Sequence, residues 1–197
     1  PFHLFKSESW DVEHIDSNTT NALDKEKDQI EWLKCSLLDN VVSQDSRIRT
    51  EIHKFINNDK DKVSFNTLVE AIEESQEDRK DKRLSDEDKN KVWNFVLLDA
   101  GTNRGYGNAI FPAKRRTIIG KDQGKNIYVE DNLEVSEEKG AIAFVPPVTK
   151  NVFLKYYNAS VDDLRAWTIS DAEAYKTNIH SVLKEFGVEL NNNNNND

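Results

Sequence analysis

An acidic residue beside a histidine, Glu13-His14, stands near one end of this chain, and two asparagines nine positions apart, Asn94 and Asn103, stand near its middle. They lie in three short stretches, WDVEHI (10–15), WNFVLLD (93–99) and TNRGYGN (102–108). Together they form the inventory of one-metal phosphodiester hydrolysis. A phosphodiester is anionic and unreactive, so its cleavage needs an activated water, neutralisation of developing charge and help for the departing oxygen. A histidine supplies the first. A divalent cation held by a carboxylate and a carboxamide supplies the other two, because oxygen ligands suit a hard ion such as magnesium. Glu13, His14 and Asn103 have the right types.

These residues need elements to present them. On a regular strand successive side chains point to opposite faces, so Glu13 and His14 are expected where a first strand breaks into loop. Residues 95–98, bounded by Asp99 and Gly101, read as a short buried strand. Gly105 and Gly107 then allow a tight turn, and Pro112 suits the first position of a helix ending at Gly120, since its φ is preorganised and its missing N–H would be unpaired there anyway.

Between the halves, residues 24–39 place Ile30, Leu33, Leu37 and Leu38 at helical spacing. Ser43 is positioned to cap a second helix carrying Ile48, Ile52, Phe55 and Ile56, and Ser64 a third carrying Phe65, Leu68, Val69 and Ile72. Residues 73–83 are almost wholly charged and read as a solvated helix end or loop, and Ser85 with Asp88 makes a shortened capping box before Val92 and Trp93. Further on, strand character is expected at 127–129 and 141–145, a helix through Val152, Phe153, Tyr156 and Tyr157, and a short one at Leu164 and Trp167. Ser170 and Glu173 form a capping box for a last helix, stopped by Gly187. The expected fold is α+β and predominantly helical. It comprises one unit over 1–187, with core motifs at 10–15 and 93–120, a helical insertion at 20–92, and a C-terminal helical region at 146–187. An asparagine-rich tail at 188–197 is expected to be disordered.

Charged residues make up 32% of the chain and hydrophobic ones 37%, with no apolar run near the ~20 residues that span a bilayer, so a soluble protein is expected. No secretory signal is visible at the start, which makes a cytoplasmic location the default. The single cysteine, Cys35, excludes an internal disulfide and any multi-cysteine zinc site. The absence of methionine and the start at Pro1 suggest a fragment that lacks an N-terminal partner domain. A net charge of −9 argues against a surface built all over for nucleic acid. Residues 114–125 nevertheless carry Lys114, Arg115, Arg116, Lys121 and Lys125 against Asp122 alone, consistent with a basic strip on an acidic body.

DVEHI followed by NFVLLDAGTNRG resembles the ββα-metal motif of HNH nucleases, in which a histidine ends the first strand and an asparagine precedes the second. The step from Asn94 to Asn103, with Arg104 and Gly105 after it, is similar to the HNH domain of CRISPR RNA-guided nucleases, whose last ligand is also asparagine. A closer resemblance, over most of residues 1–187, is to the C-terminal HNH domain of GmrSD-type modification-dependent restriction enzymes. The residues that carry it are the WDVEHI start, Asn103, Asn108, Phe111, Lys114 and Arg115, and a closing region of VFLKYY with Trp167 and Tyr175. The resemblance implies a ββα-metal core, DNA as substrate, and one Mg²⁺ or Mn²⁺ on Glu13 and Asn103. It implies His14 as general base and Asn94 as the residue that bridges backbone groups to hold the loop presenting His14. Asp11 would support the site. Asn108 would fix the turn, and Arg104, Lys114, Arg115 and Arg116 would contact phosphate. A nucleotide-dependent N-terminal domain is the implied partner. Two features depart from the family pattern: 79 residues separate His14 from Asn94, and Asp16 stands where many HNH proteins have proline or an aliphatic residue.

Alone, Glu13-His14 is a common dipeptide that fits a surface strand end. The asparagine step and the LL strand make the combination specific. Basic clusters such as 114–116 are usually solvated helix faces, which leaves phosphate contact and plain solvation both open. His3, His53 and His180 read as ordinary residues, and Tyr156, Tyr157 and Trp167 as core aromatics. The leading expectation is a metal-dependent DNA endonuclease domain of a bacterial restriction or anti-phage protein. The alternatives are a non-catalytic HNH-scaffold module that binds protein or nucleic acid, and an RNA-directed toxin nuclease.

Overall fold

The computed structural model describes residues 9–17, 23–39, 47–57, 63–75, 81–99, 109–141, 143–161 and 163–188. Ser43, Asn103, Arg104, Asn108 and the asparagine tail lie outside them. The fold is α+β, with two small antiparallel sheets among the described residues.

Strand β1, Trp10–His14, pairs antiparallel with β2, Phe95–Asp99, in the register Asp11 opposite Leu98, Glu13 opposite Val96 and His14 opposite Phe95. Val96 and Leu98 face the core and are buried, while Leu97 between them is exposed, the alternation of a sheet covered on one face. Directly paired residues share a face, so Asp11 and Glu13 stand with Val96 and Leu98, and His14 stands with Phe95. The expected break at Glu13-His14 comes later than the sequence suggests. Both residues lie within the ladder, which Ile15 prolongs by donating its N–H to the Asn94 carbonyl (2.9 Å).

Helices α1 (Glu26–Leu38), α2 (Arg47–Ile56) and α3 (Phe65–Glu74) occupy the long stretch between the paired strands. Their apolar stripes converge on Trp32, Leu33, Leu37, Ile52, Phe55, Leu68 and Ile72, all buried, so this stretch carries a core of its own. Ser64 caps α3 by accepting the Thr67 N–H. Ser85 and Asp88 bond reciprocally at a 3₁₀ turn, Asp88–Asn90, which a second one, Val92–Asn94, follows.

Helix α4, Phe111–Asp122, starts one residue before Pro112 and runs through Gly120. Gly120 is a close-approach position instead of a stop: a Cβ there would lie 2.8 Å from Ile127 Cγ1. The chain then forms β3 (Lys125–Val129) and β4 (Val135–Lys139), an antiparallel pair. No strand forms at the described residues of 141–145; the partner of β3 is instead the charged segment VSEEK. Helix α5, Pro147–Phe153, ends before Tyr156 and Tyr157, and Leu164 and Trp167 lie outside any helix. Helix α6, Ile169–Glu185, is capped two residues earlier than expected, by Thr168 with Asp171 in a reciprocal capping box. Beyond it Gly187 takes φ +75°, a conformation that favours glycine.

A first core gathers Ile15, Val96, Leu98, Phe111, Ile118, Val152, Phe153, Trp167 and Tyr175. Phe111 stacks on Phe153, with ring centroids 5.6 Å apart. Helix α4 is the wall shared with the insertion, since its Ala113 packs with Cys35 of α1 and Val129 of β3. Among the described residues no helix is long and apolar enough to cross a membrane.

Candidate functional site

The end of β1 is held by one asparagine. Asn94 is fully buried; its Oδ1 accepts the Asp16 N–H (2.9 Å) and its Nδ2 donates to the carbonyls of Asp16 (3.0 Å) and Lys89 (2.9 Å). A carboxamide is the side chain that can serve as donor and acceptor at once, so it closes both backbone groups of one residue. The turn after His14 is thereby pinned to the turns before β2.

His14 and Glu13 leave this strand end on opposite faces. The imidazole of His14 packs against the Phe95 ring at 4.6 Å between centroids and, among the described residues, has no hydrogen-bond or ion-pair partner. Glu13 turns toward α4. Its Oε1 receives the Lys114 ammonium at 2.5 Å, while its Oε2 has no partner among the described residues. The same ammonium donates to the His14 carbonyl (2.6 Å) and to Ser17 Oγ (2.5 Å).

Lys114 therefore departs from the expected solvent-facing strip. Its side chain is 0% exposed, because position 114 falls in the apolar stripe of α4 one turn after Phe111 and one before Ile118. Burial pushes its pKa below the ordinary lysine value, against the pull of Glu13. Arg115 donates from Nε to the Phe153 carbonyl (3.1 Å), and Arg116 pairs with Asp39 and reaches Cys35 Sγ (3.4 Å). Lys114 and Arg116 thus meet internal carboxylates while half-exposed Arg115 bonds a carbonyl, and the three tie α4 to β1, α1 and α5.

Asp11 sits on the Glu13 face of β1 and is exposed. Asp16 lies just beyond the strand, with Lys89 Nζ 3.8 Å from its Oδ2. Desolvation raises its pKa above the ordinary carboxylate value, and Lys89, Lys114 and Arg83 pull it back. Sequence reasoning missed Ser17 and Lys89 altogether. For Ser17 no local signal exists, because its role depends on a helix 97 positions away. Burial of Lys114, by contrast, is readable from its i, i+3, i+7 spacing with Phe111 and Ile118.

The structure brings Glu13, His14, Asn94 and Lys114 together at one strand end; Asn103, Arg104 and Asn108 lie outside the described residues. No group of three His, Cys, Asp or Glu side chains suited to a metal occurs among the described residues. The chemistry of the donors fits a hard cation all the same. Three oxygens, Glu13 Oε1, the His14 carbonyl and Ser17 Oγ, converge on the Lys114 ammonium, and Glu13 Oε2 is the carboxylate oxygen left without a partner among the described residues.

The chain was compared with protein-family models, curated proteins and solved structures. It matches none of them.

Proposed function

We propose that the chain is a metal-dependent HNH endonuclease domain that hydrolyses DNA phosphodiesters, of the kind found in bacterial restriction and anti-phage proteins. The observation that carries this reading is the Asn94 clasp. It holds a strand end from which an imidazole and a carboxylate oxygen, neither hydrogen-bonded among the described residues, project on two faces.

In this reading His14 takes the proton of a water, which attacks phosphorus in line with the departing 3′ oxygen. Glu13 and Asn103 hold Mg²⁺ or Mn²⁺, which when bound supplies charge neutralisation for the phosphate and the leaving oxygen. Lys114 fixes the Glu13 carboxylate by one oxygen, and Asn94 keeps the backbone around His14 from shifting. Products carry a 5′ phosphate and a 3′ hydroxyl. On supercoiled plasmid with Mg²⁺ or Mn²⁺, His14→Ala is expected to lose about 10²–10⁴-fold of the nicking rate, the range for removal of a general base. Equal nicking by variant and wild type rejects the assignment.

The position of Lys114 favours a second reading, a non-catalytic HNH-scaffold module that binds protein or nucleic acid. Here the internal ammonium is the lasting counter-charge of Glu13 and no metal is needed. Calorimetric titration with Mn²⁺ separates the two. Binding that Glu13→Ala abolishes supports the nuclease, and no binding by the wild type supports the module. Parallel digests of RNA and DNA decide between a toxin-like and a restriction-like substrate.

A further inference from the structure

Beside the turn held by Asn94, between the insertion and the first core, lies a cleft of about 110 Å³. Three cations line it: Arg83, Lys89 and Arg165. Arg83 is half-buried; its backbone bridges Thr168, and its side chain has no hydrogen-bond or ion-pair partner among the described residues. Lys89 stands 3.8 Å from Asp16, beyond hydrogen-bond reach. Arg165 is held along its Nε edge by Asp163, which leaves Nη1 uncommitted among the described residues. Against these charges the lining sets Asp16 and Glu73, and Asp163 pairs with Arg165, so what the cleft offers an anion is the uncommitted donors of Arg83 and Arg165.

Two further features ask for an acceptor. Trp167 lines the cleft, is 2% exposed, and its indole N–H has no acceptor among the described residues. A buried donor left unpaired is costly, although this N–H is itself closed off from solvent. Helix α4 also begins at this wall, with no side-chain cap among the described residues.

We propose that this cleft binds one phosphate of a DNA strand, adjacent to but distinct from the phosphate at Glu13 and His14. The inference rests on the nuclease reading for its substrate. The cleft has room for a phosphate. Ser17 links the two places, since it lines the cleft and also bonds Lys114, the partner of Glu13. A phosphate seated there would fix the register of the strand relative to the cleaved bond, as backbone contacts do without reading sequence.

The test uses His14→Ala as a non-cutting background and measures duplex DNA affinity by fluorescence anisotropy across a salt series. Adding Arg83→Gln, or separately the exposed Arg165→Gln, is expected to weaken binding about tenfold on unrelated sequences. Each should also lower the salt slope by about 1, as loss of one phosphate contact requires. Circular dichroism checks that each variant folds. Unchanged affinity and slope in both overturn the proposal. Inorganic phosphate alone, followed by Trp fluorescence, distinguishes a free-anion site: saturation by phosphate with DNA affinity insensitive to both substitutions also overturns it. Plasmid nicking separates the two ideas. Active wild type with an insensitive salt slope leaves the nuclease standing and sinks the cleft; inactive wild type with an Arg83-dependent slope does the reverse.

Discussion

Lys114 Nζ sits inside three oxygens with its side chain fully buried, so deleting it leaves the Glu13 carboxylate, 14% exposed, without its counter-charge. Breaking one side of such a pair costs about 3–5 kcal/mol. Lys114→Met is therefore expected to lower unfolding stability by about that amount in urea titration, with the midpoint shifting and the slope unchanged. Asn94→Ala strips three hydrogen bonds from a buried clasp, and Asn94→Asp turns a carboxylate oxygen toward two carbonyls that now receive N–H donors. Both should lower Tm, the aspartate at least as much as the alanine. Asp16 gives a pH signature. Its raised folded pKa means the native state holds this proton more tightly than the unfolded chain, whose value is 3.8. Its contribution is thus fully present below that value and lost as pH rises through the folded pKa. Asp16→Asn should accordingly gain on the wild type with rising pH, in urea titrations from about pH 3 to neutrality; a difference that is flat with pH refutes the argument.

At the scale of elements, what the sequence reveals depends on burial. Strand β2 is legible because an apolar, β-tolerant run sits between Asp99 and the turn residues, and α1 and α3 are legible because their apolar positions recur every three or four residues. Strand β4 is hidden: VSEEK has mostly exposed side chains, and its pairing comes from the backbone ladder with β3, to which side-chain pattern is blind. The α6 cap is displaced because two cap signals overlap, Ser170 with Glu173 and Thr168 with Asp171. Tertiary structure decides for the second: Asp171 is buried and pairs with the equally buried Lys155 at 2.5 Å. Gly120 reads as a helix stop but serves to let β3 approach α4. Gly120→Ala adds a methyl 2.8 Å from Ile127 Cγ1 and 3.1 Å from the Lys125 carbonyl. Overpacking of about 1–3 kcal/mol should exceed the ~1 kcal/mol gained in helix propensity, a net loss measurable by denaturation. Adding Ile127→Ala should recover part of that loss in a double-mutant cycle.

Across the whole molecule, the insertion and the first core meet at α4 through apolar contact and the Arg116–Asp39 pair. Cys35 lies in that seam, 5% exposed, with its thiol pushed up to about 12, chiefly by burial. Alkylation of the native protein near pH 8 should therefore be slow and limited by opening of the seam, and Arg116→Ala should accelerate it, as followed by intact mass. Labelling at the rate of a free thiol would show the seam to be open. None of these long-range pairings is legible in sequence, since Arg116 is 77 positions from Asp39. The role of Asn94 is legible only through the resemblance to the HNH motif, and the helical stripe reveals the burial of Lys114 but not Glu13, its partner 101 positions away.

The clasp at Asn94 also sets an order of events in time. It joins residues 78 positions apart, and β1 has no partner until β2 is made, beginning with Phe95 opposite His14. As the chain is made, Glu13 and His14 wait unpaired while α1, α2 and α3, whose contacts are local, collapse on their own core. The clasp then brings the two ends of the insertion within one hydrogen bond of each other, so that long segment leaves and re-enters the core at nearly a single point. Because the entropy of closing a loop grows only about 0.6 kcal/mol per doubling of its length, a segment anchored this way can lengthen or shorten with little strain on the strand end that carries His14.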